Sequence, residues 1–131
     1  MSGWTLVQCS CRRLLLGSTT QPTSEANCLN IGGHLALVSS AEDLAAVQTF
    51  IKSQGLGGWN GVWVDGSDAA QEGVWLTSAG KVMRYLGWTS GQPNEGTYAN
   101  CMMLVGNEVW DEICDRVDDN KASLCELRIT I

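Results

Sequence analysis

Six cysteines in 131 residues constrain this chain more than any other feature of it. They stand at Cys9, Cys11, Cys28, Cys101, Cys114 and Cys125. Thiols at that density are unusual in a reducing compartment and point to disulfides in an extracellular, oxidising one. Zinc is the competing use. It is set aside because there is no Cys-x-x-Cys pair and His34 is the single histidine that could join Cys9 and Cys11. Counting alone does not decide which cysteines pair. The opening Met-Ser-Gly-Trp-Thr-Leu does not read as a secretory leader, since Arg12-Arg13 precedes only three leucines. Secretion therefore implies a leader already removed.

The remaining composition is that of a folded chain. Hydrophobic residues make up 44% and charged residues 17%, enough for a packed core, and residues 1–131 are read as one domain. No apolar run approaches the roughly 20 residues of a membrane span. The net charge of −6 argues against nucleic acid or an anionic membrane as partner and suits a cation or a neutral ligand. No Asn-x-Ser/Thr acceptor occurs.

Along the chain, residues 4–16 read as an opening strand or hairpin, and Thr23 to Ile31 as a short helix stopped by Gly32-Gly33. Ser40, with Asp43 three residues on, is a capping-box variant for a second helix, in which Leu44, Val47, Phe50 and Ile51 recur at helical spacing. Short runs rich in Val, Trp and Leu follow between Gly, Ser and Asn turns: Val62–Val64, Val74–Leu76, Val82–Tyr85, Met102–Val105, Glu108–Trp110 and Ser123–Arg128. Helices first and short strands later predict an α+β fold. Gly57-Gly58-Trp59-Asn60-Gly61 lacks the Lys-Ser/Thr of a phosphate loop, which removes nucleotide binding.

Read in order, these segments resemble the C-type lectin-like domain. Gly32-Gly33-His34-Leu35-Ala36 is similar to the family's segment after its first helix. Trp63-Val64-Asp65-Gly66, Glu72-Gly73-Val74-Trp75 and Tyr85-Leu86-Gly87-Trp88 follow its W-I-G-L, E-G-x-W and Y-x-x-W motifs. Gln92-Pro93-Asn94 falls at its sugar-selecting tripeptide, and Trp110-Asp111-Glu112 at its W-N-D triplet, before Cys114 and Leu124-Cys125-Glu126. The resemblance spans Trp4 to Arg128. It implies two helices flanking small antiparallel sheets, with a long ligand-binding loop region. It also implies the disulfides Cys28–Cys125 and Cys101–Cys114. Cys11 falls at the second cysteine of a long-form N-terminal hairpin, and Cys9 is additional. These two pair with each other, pair with another chain or stay free; an interchain bridge giving a homodimer is the expectation.

The resemblance further implies a calcium-dependent sugar site. Calcium takes six to eight oxygen ligands. Gln92, Asn94, Asp111 and Glu112 would supply them, with Pro93 in cis to turn Gln92 and Asn94 to one side. Two vicinal sugar hydroxyls would then bind the ion and its ligands. The family's further glutamate is missing, since Ala99 and Asn100 stand where it is expected, and Asp111 and Glu112 replace Asn and Asp. Fewer ligand charges imply weak calcium binding, about millimolar. Asp68, Glu72 and Glu95 match a second calcium site. Gln92 and Asn94 put amides at both ends of the tripeptide, and an amide both accepts and donates. Galactose or N-acetylhexosamine is expected slightly ahead of mannose.

Other residues are expected to be structural. His34 lies in a packing segment, and Trp63, Trp75, Trp88 and Trp110 match core positions. Arg12-Arg13 reads as a solvated pair. Trp59 and Tyr98 match no core position, and either ring suits stacking on a sugar's apolar face. With one histidine and no nucleophile–base pair, no enzyme is expected. The alternative to a calcium-dependent lectin is the same fold with a degraded metal site, binding sugar without calcium or binding a protein, ice or a mineral surface.

Overall fold

A computed structural model describes residues 3–8, 10–56, 60–89, 91–92, 99–117 and 120–127, with only the backbone of residues 120 and 121. The chain opens as the expected hairpin, β1 (Thr5–Val7) and β2 (Ser10–Leu16), turning where Gln8 takes φ +57°. Helix α1 (Gln21–Asn30) begins two residues earlier than its sequence pattern indicated. Thr20 caps it by accepting from the Thr23 amide, and Pro22 sits in the first turn, where a missing N–H costs nothing. The Gly32-Gly33 stop divides its labour. Gly32 takes φ +92°, whereas a Cβ on Gly33 would run into the Glu126 carbonyl that β3 (Gly33–Leu35) pairs against. Helix α2 (Ala41–Ser53) starts as read, with Ser40 Oγ accepting from the Asp43 amide at 3.0 Å.

The remaining strands are β4 (Gly61–Ser67), β5 (Cys101–Val105), β6 (Glu108–Glu112) and β7 (Asn120–Leu127). They join one seven-stranded sheet in the order β1-β2-β7-β4-β5-β6, with β3 also paired to β7. Small separate antiparallel sheets were expected, but β4 runs parallel to β7 and fuses them into one mixed sheet. The pleat sorts side chains to two faces. Leu14, Val62, Val64, Met102, Leu104 and Leu124 join Val47 and Ile51 of α2 in one apolar cluster. Leu15, Trp63, Met103 and Cys125 join Cys28 of α1 in the other. Burial on both faces explains why these strands read as continuous apolar runs rather than clean alternation.

Val74–Leu76 and Val82–Tyr85 do not become strands. They meet only through single bridges, Ser67 to Leu76 and Leu76 to Val82. Gly73 and Gly80, both at positive φ, bend the chain before a ladder extends. Trp75 and Met83 still reach the core, and Trp88 packs edge-on to Trp75 at 4.8 Å.

Cys28–Cys125 ties α1 to β7, and Cys101–Cys114 closes the open end of the β5–β6 hairpin. Cys11 carries a free thiol and is half-buried; Cys9 lies outside the described residues. Arg12 corrects the reading of a solvated arginine pair. It is 2% exposed, and all five of its N–H donors are used, on Asp43, Glu126 and the carbonyls of Val7 and Leu37. No helix among the described residues is long and apolar enough to cross a membrane.

Candidate functional site

The site is built where β4 and β5 leave the sheet. Antiparallel pairing sets Ser67 opposite Cys101, so the next residue on one strand, Asp68, lies beside the previous residue on the other, Asn100. The Asp68 amide donates to the Asn100 carbonyl at 3.0 Å. Asp68 is only 3% exposed, and its Oδ2 accepts from the Gly73 amide at 2.9 Å. That bond curls residues 68–73 into a turn and brings Glu72 back over Asp68. The Glu72 carboxyl is pushed above the usual carboxylate range, first by its hydrogen bond with Asp68, then by burial, then by the charges of Asp68 and Asp111. Glu72 therefore feels one acid of its own turn, Asp68, and one from β6, Asp111.

Asn100 sits among them. With its amide nitrogen towards the carboxylates, it donates to Asp68 Oδ1 at 3.0 Å and to Glu72 Oε1 at 3.3 Å. With its oxygen towards them, it adds one more oxygen to an oxygen-only cluster, an arrangement that only a cation between them would stabilise. The oxygen donors of Asp68, Glu72 and Asn100 are of the type a hard cation takes. Among the described residues, no three acid, histidine or cysteine side chains are already arranged to hold a metal ion.

Asp111 and Glu112 end β6, opposite Met102 and Cys101 respectively. Consecutive strand residues face opposite sides. Asp111 accordingly shares the face of Val109 and acts on Glu72. Glu112 shares the face of Trp110; its Oε1 accepts from the Ile113 amide at 2.8 Å and lies 3.6 Å from Arg116 Nε. The charge of Asp111 thus reaches Glu72, which is bonded to Asp68, while Glu112 turns to Arg116.

The 89–92 segment lies along the edge of β6. Thr89 donates to the Val109 carbonyl at 3.2 Å, and its Oγ1 accepts from the Val109 amide at 2.8 Å. The Gln92 amide turns back to the Thr89 carbonyl at 2.8 Å. Gln92 Oε1 is buried with no hydrogen-bond partner among the described residues. Thr89 thus ties the start of this segment to Val109, two residues before Asp111 on β6. Pro93, Asn94, Glu95, Tyr98 and Trp59 lie outside the described residues.

Asn100 was read in the sequence only as the absence of a glutamate. The available signal was its place before Cys101: a disulfide-anchored strand start holds its neighbour still, which makes a short amide there a usable ligand or bridge.

The family model for the lectin C-type domain matches residues 18–127. A type-2 ice-structuring protein of Hemitripterus americanus is 31% identical over 114 residues, covering 86% of this chain and 66% of that protein. The galactose-specific lectin nattectin of Thalassophryne nattereri is 34% identical over 94 residues, covering 71% and 58%. The chain thus spans between about half and two thirds of these relatives' lengths. A crystal structure of a calcium-independent type II antifreeze protein is 29% identical, with a TM-score of 0.81 over 96% of this chain and 92% of that one.

Proposed function

Because the chain belongs to the C-type lectin domain family, we propose that it is a secreted carbohydrate-binding protein rather than an enzyme. Its binding end is the group of Asp68, Glu72, Asn100 and Asp111 together with the loop that starts at Gln92. The observation that carries this reading is the convergence of carboxylate and amide oxygens from three segments of a family member. Calcium, when bound, would neutralise those carboxylates and offer coordination positions to two vicinal hydroxyls. Asp68, Glu72 and Asp111 would hold it, with the Asn100 oxygen. Asn94 and Glu95 are the further ligands proposed from the sequence and Tyr98 the stacking ring, whereas Glu112, turned to Arg116, is left out of the set. The buried Gln92 oxygen is an acceptor suited to a sugar hydroxyl or the ion. Similarity to a galactose-specific lectin favours galactose or N-acetylhexosamine over mannose. Two disulfides support secretion.

Galactose and mannose resins test this reading. Retention on galactose and release by a chelator is the expected result. Passage through both resins with calcium present contradicts it.

A second reading is favoured by the ice-structuring relative and by the Asn100 amide, which can bridge Asp68 and Glu72 without metal. In it, the same end binds ice or another surface with no calcium. Faceted ice crystals growing in the presence of the protein and a chelator would establish it, and round crystals would exclude it.

The free Cys11 thiol, opposite Leu6 of the edge strand β1, supports the proposed disulfide-linked homodimer. Leu6 is 69% exposed there. A dimer band that collapses under reduction is expected on gels, and a monomer under both conditions removes the idea.

A further inference from the structure

An apolar cavity of about 250 Å³ opens between the loop after β3 and the 81–85 segment. Val38 and Met83, both buried, line it together with Leu37 and Tyr85, and Val82, 67% exposed, marks its mouth. The Tyr85 ring is seated on Gly87, where a Cβ would come within 2.8 Å of it and where φ is +66°. Lys81 and Arg84 also line the cavity, and both are exposed. Neither forms an ion pair among the described residues, and no carboxylate lines the cavity. In a chain of net charge −6, two unpaired cations beside an apolar hollow form a local field opposite to that of the molecule. None of Gln92, Asp68, Glu72, Asn100 and Asp111 lines this space.

We propose that this cavity binds a small amphipathic anion, an apolar chain or ring ending in a carboxylate, with the chain against Val38 and Met83 and the carboxylate at Arg84 and Lys81. The volume limits the ligand, since it lies at or below the low end of the range for small-molecule pockets, roughly 300 Å³ upward. Apolar walls reward the chain, and the unpaired cations reward the charge without first breaking an ion pair. The far side of Lys81 sets the orientation. There Lys81 also borders a cleft of about 370 Å³ that holds Asp65 and Glu126, whose charges repel an anion. The carboxylate is therefore directed to the Arg84 side. This site is independent of the sugar site and stands if that reading fails.

Titration of the whole chain with octanoate, 1-octanol and octylammonium, each below its micelle concentration and in the presence of a chelator, tests the proposal. The methyl resonances of Val82 and Met83 are the readout. Octanoate is expected to shift them saturably with a dissociation constant of about 1 mM or tighter. Octanol should bind at least about threefold more weakly, and octylammonium more weakly still. The double variant Lys81→Gln, Arg84→Gln changes only exposed side chains. It is expected to lose about tenfold in octanoate affinity and to keep its octanol affinity. Equal affinity for octanoate and octanol, undiminished octanoate binding by the double variant, or shifts absent from Val82 and Met83 would each overturn the proposal.

Discussion

Asp65 carries its charge where water barely reaches. It is 6% exposed in the middle of β4 and accepts hydrogen bonds from the Ser78 amide and hydroxyl. Burial pushes its carboxyl up to about 6, the Ser78 amide opposes that, and the nearby Glu25 charge adds to it. A folded-state value above the unfolded one means that the folded chain holds the proton more tightly. Asp65 therefore contributes stability below about pH 4, and that contribution is lost as pH rises towards 6. Asp65→Asn keeps an oxygen for Ser78 and removes the charge. It is expected to raise stability at pH 7.5 by about 1–2 kcal/mol and to flatten the dependence between pH 4 and 6, both readable by urea denaturation. Arg12 is the opposite case, a buried charge fully paired. Burial raises the Asp43 carboxyl, but the Arg12 and Ser39 bonds outweigh it and hold Asp43 below the usual range. Arg12→Met strands Asp43 and should cost about 3–5 kcal/mol, measured by the same method, and Arg12→Lys should restore little because it lacks the fork. Nothing local in the sequence distinguishes Arg12 from Arg13. The pleat of β2 decides it, and that depends on pairing with Glu126 more than a hundred residues away.

Among the elements, those whose cause is local were legible. The α2 helix was readable because Ser40 and Asp43 cap it and Val47 and Ile51 recur on its buried face. The β5 strand was readable because Met102 to Val105 is uniformly apolar. The 74–85 segment was not, because its valines and aromatics are held by side-chain packing of Trp75, Met83 and Trp88 rather than by a ladder. The disulfides act at this scale too. Cys101–Cys114 spans 13 residues and Cys28–Cys125 spans 97. Loop entropy assigns them about 3 and about 4.7 kcal/mol respectively. Replacing the first pair with serine should lower the melting temperature less than replacing the second. It should also speed amide exchange at Asn100 and Asp111 selectively. Equal, uniform loosening by both replacements would contradict the separate roles given to them.

For the molecule as a whole, the resemblance carried the fold and both disulfides, but not the single mixed sheet. The parallel pairing of β4 with β7 joins segments about 60 residues apart, and no local pattern encodes it. Of the candidate site residues, Asp111 and Glu112 adjoin in sequence, yet the pleat sends them to different faces, which no local pattern shows. If calcium binds at about 1 mM, 10 mM calcium should stabilise the fold by about 1.4 kcal/mol, a rise of a few degrees in melting temperature. Because Glu72 holds its proton more tightly than an ordinary carboxylate, acid should reduce that rise as protons compete with the ion. Asn100→Asp adds an acid at the cluster and should enlarge the rise.

The most direct measurement is a backbone amide NMR titration of the whole chain with calcium, then with galactose. The account predicts that calcium shifts the Asp68, Glu72, Asn100 and Asp111 signals together, and that galactose then shifts Gln92 and the same group. Galactose shifts confined to other parts of the sheet, or absent with and without calcium, would contradict it.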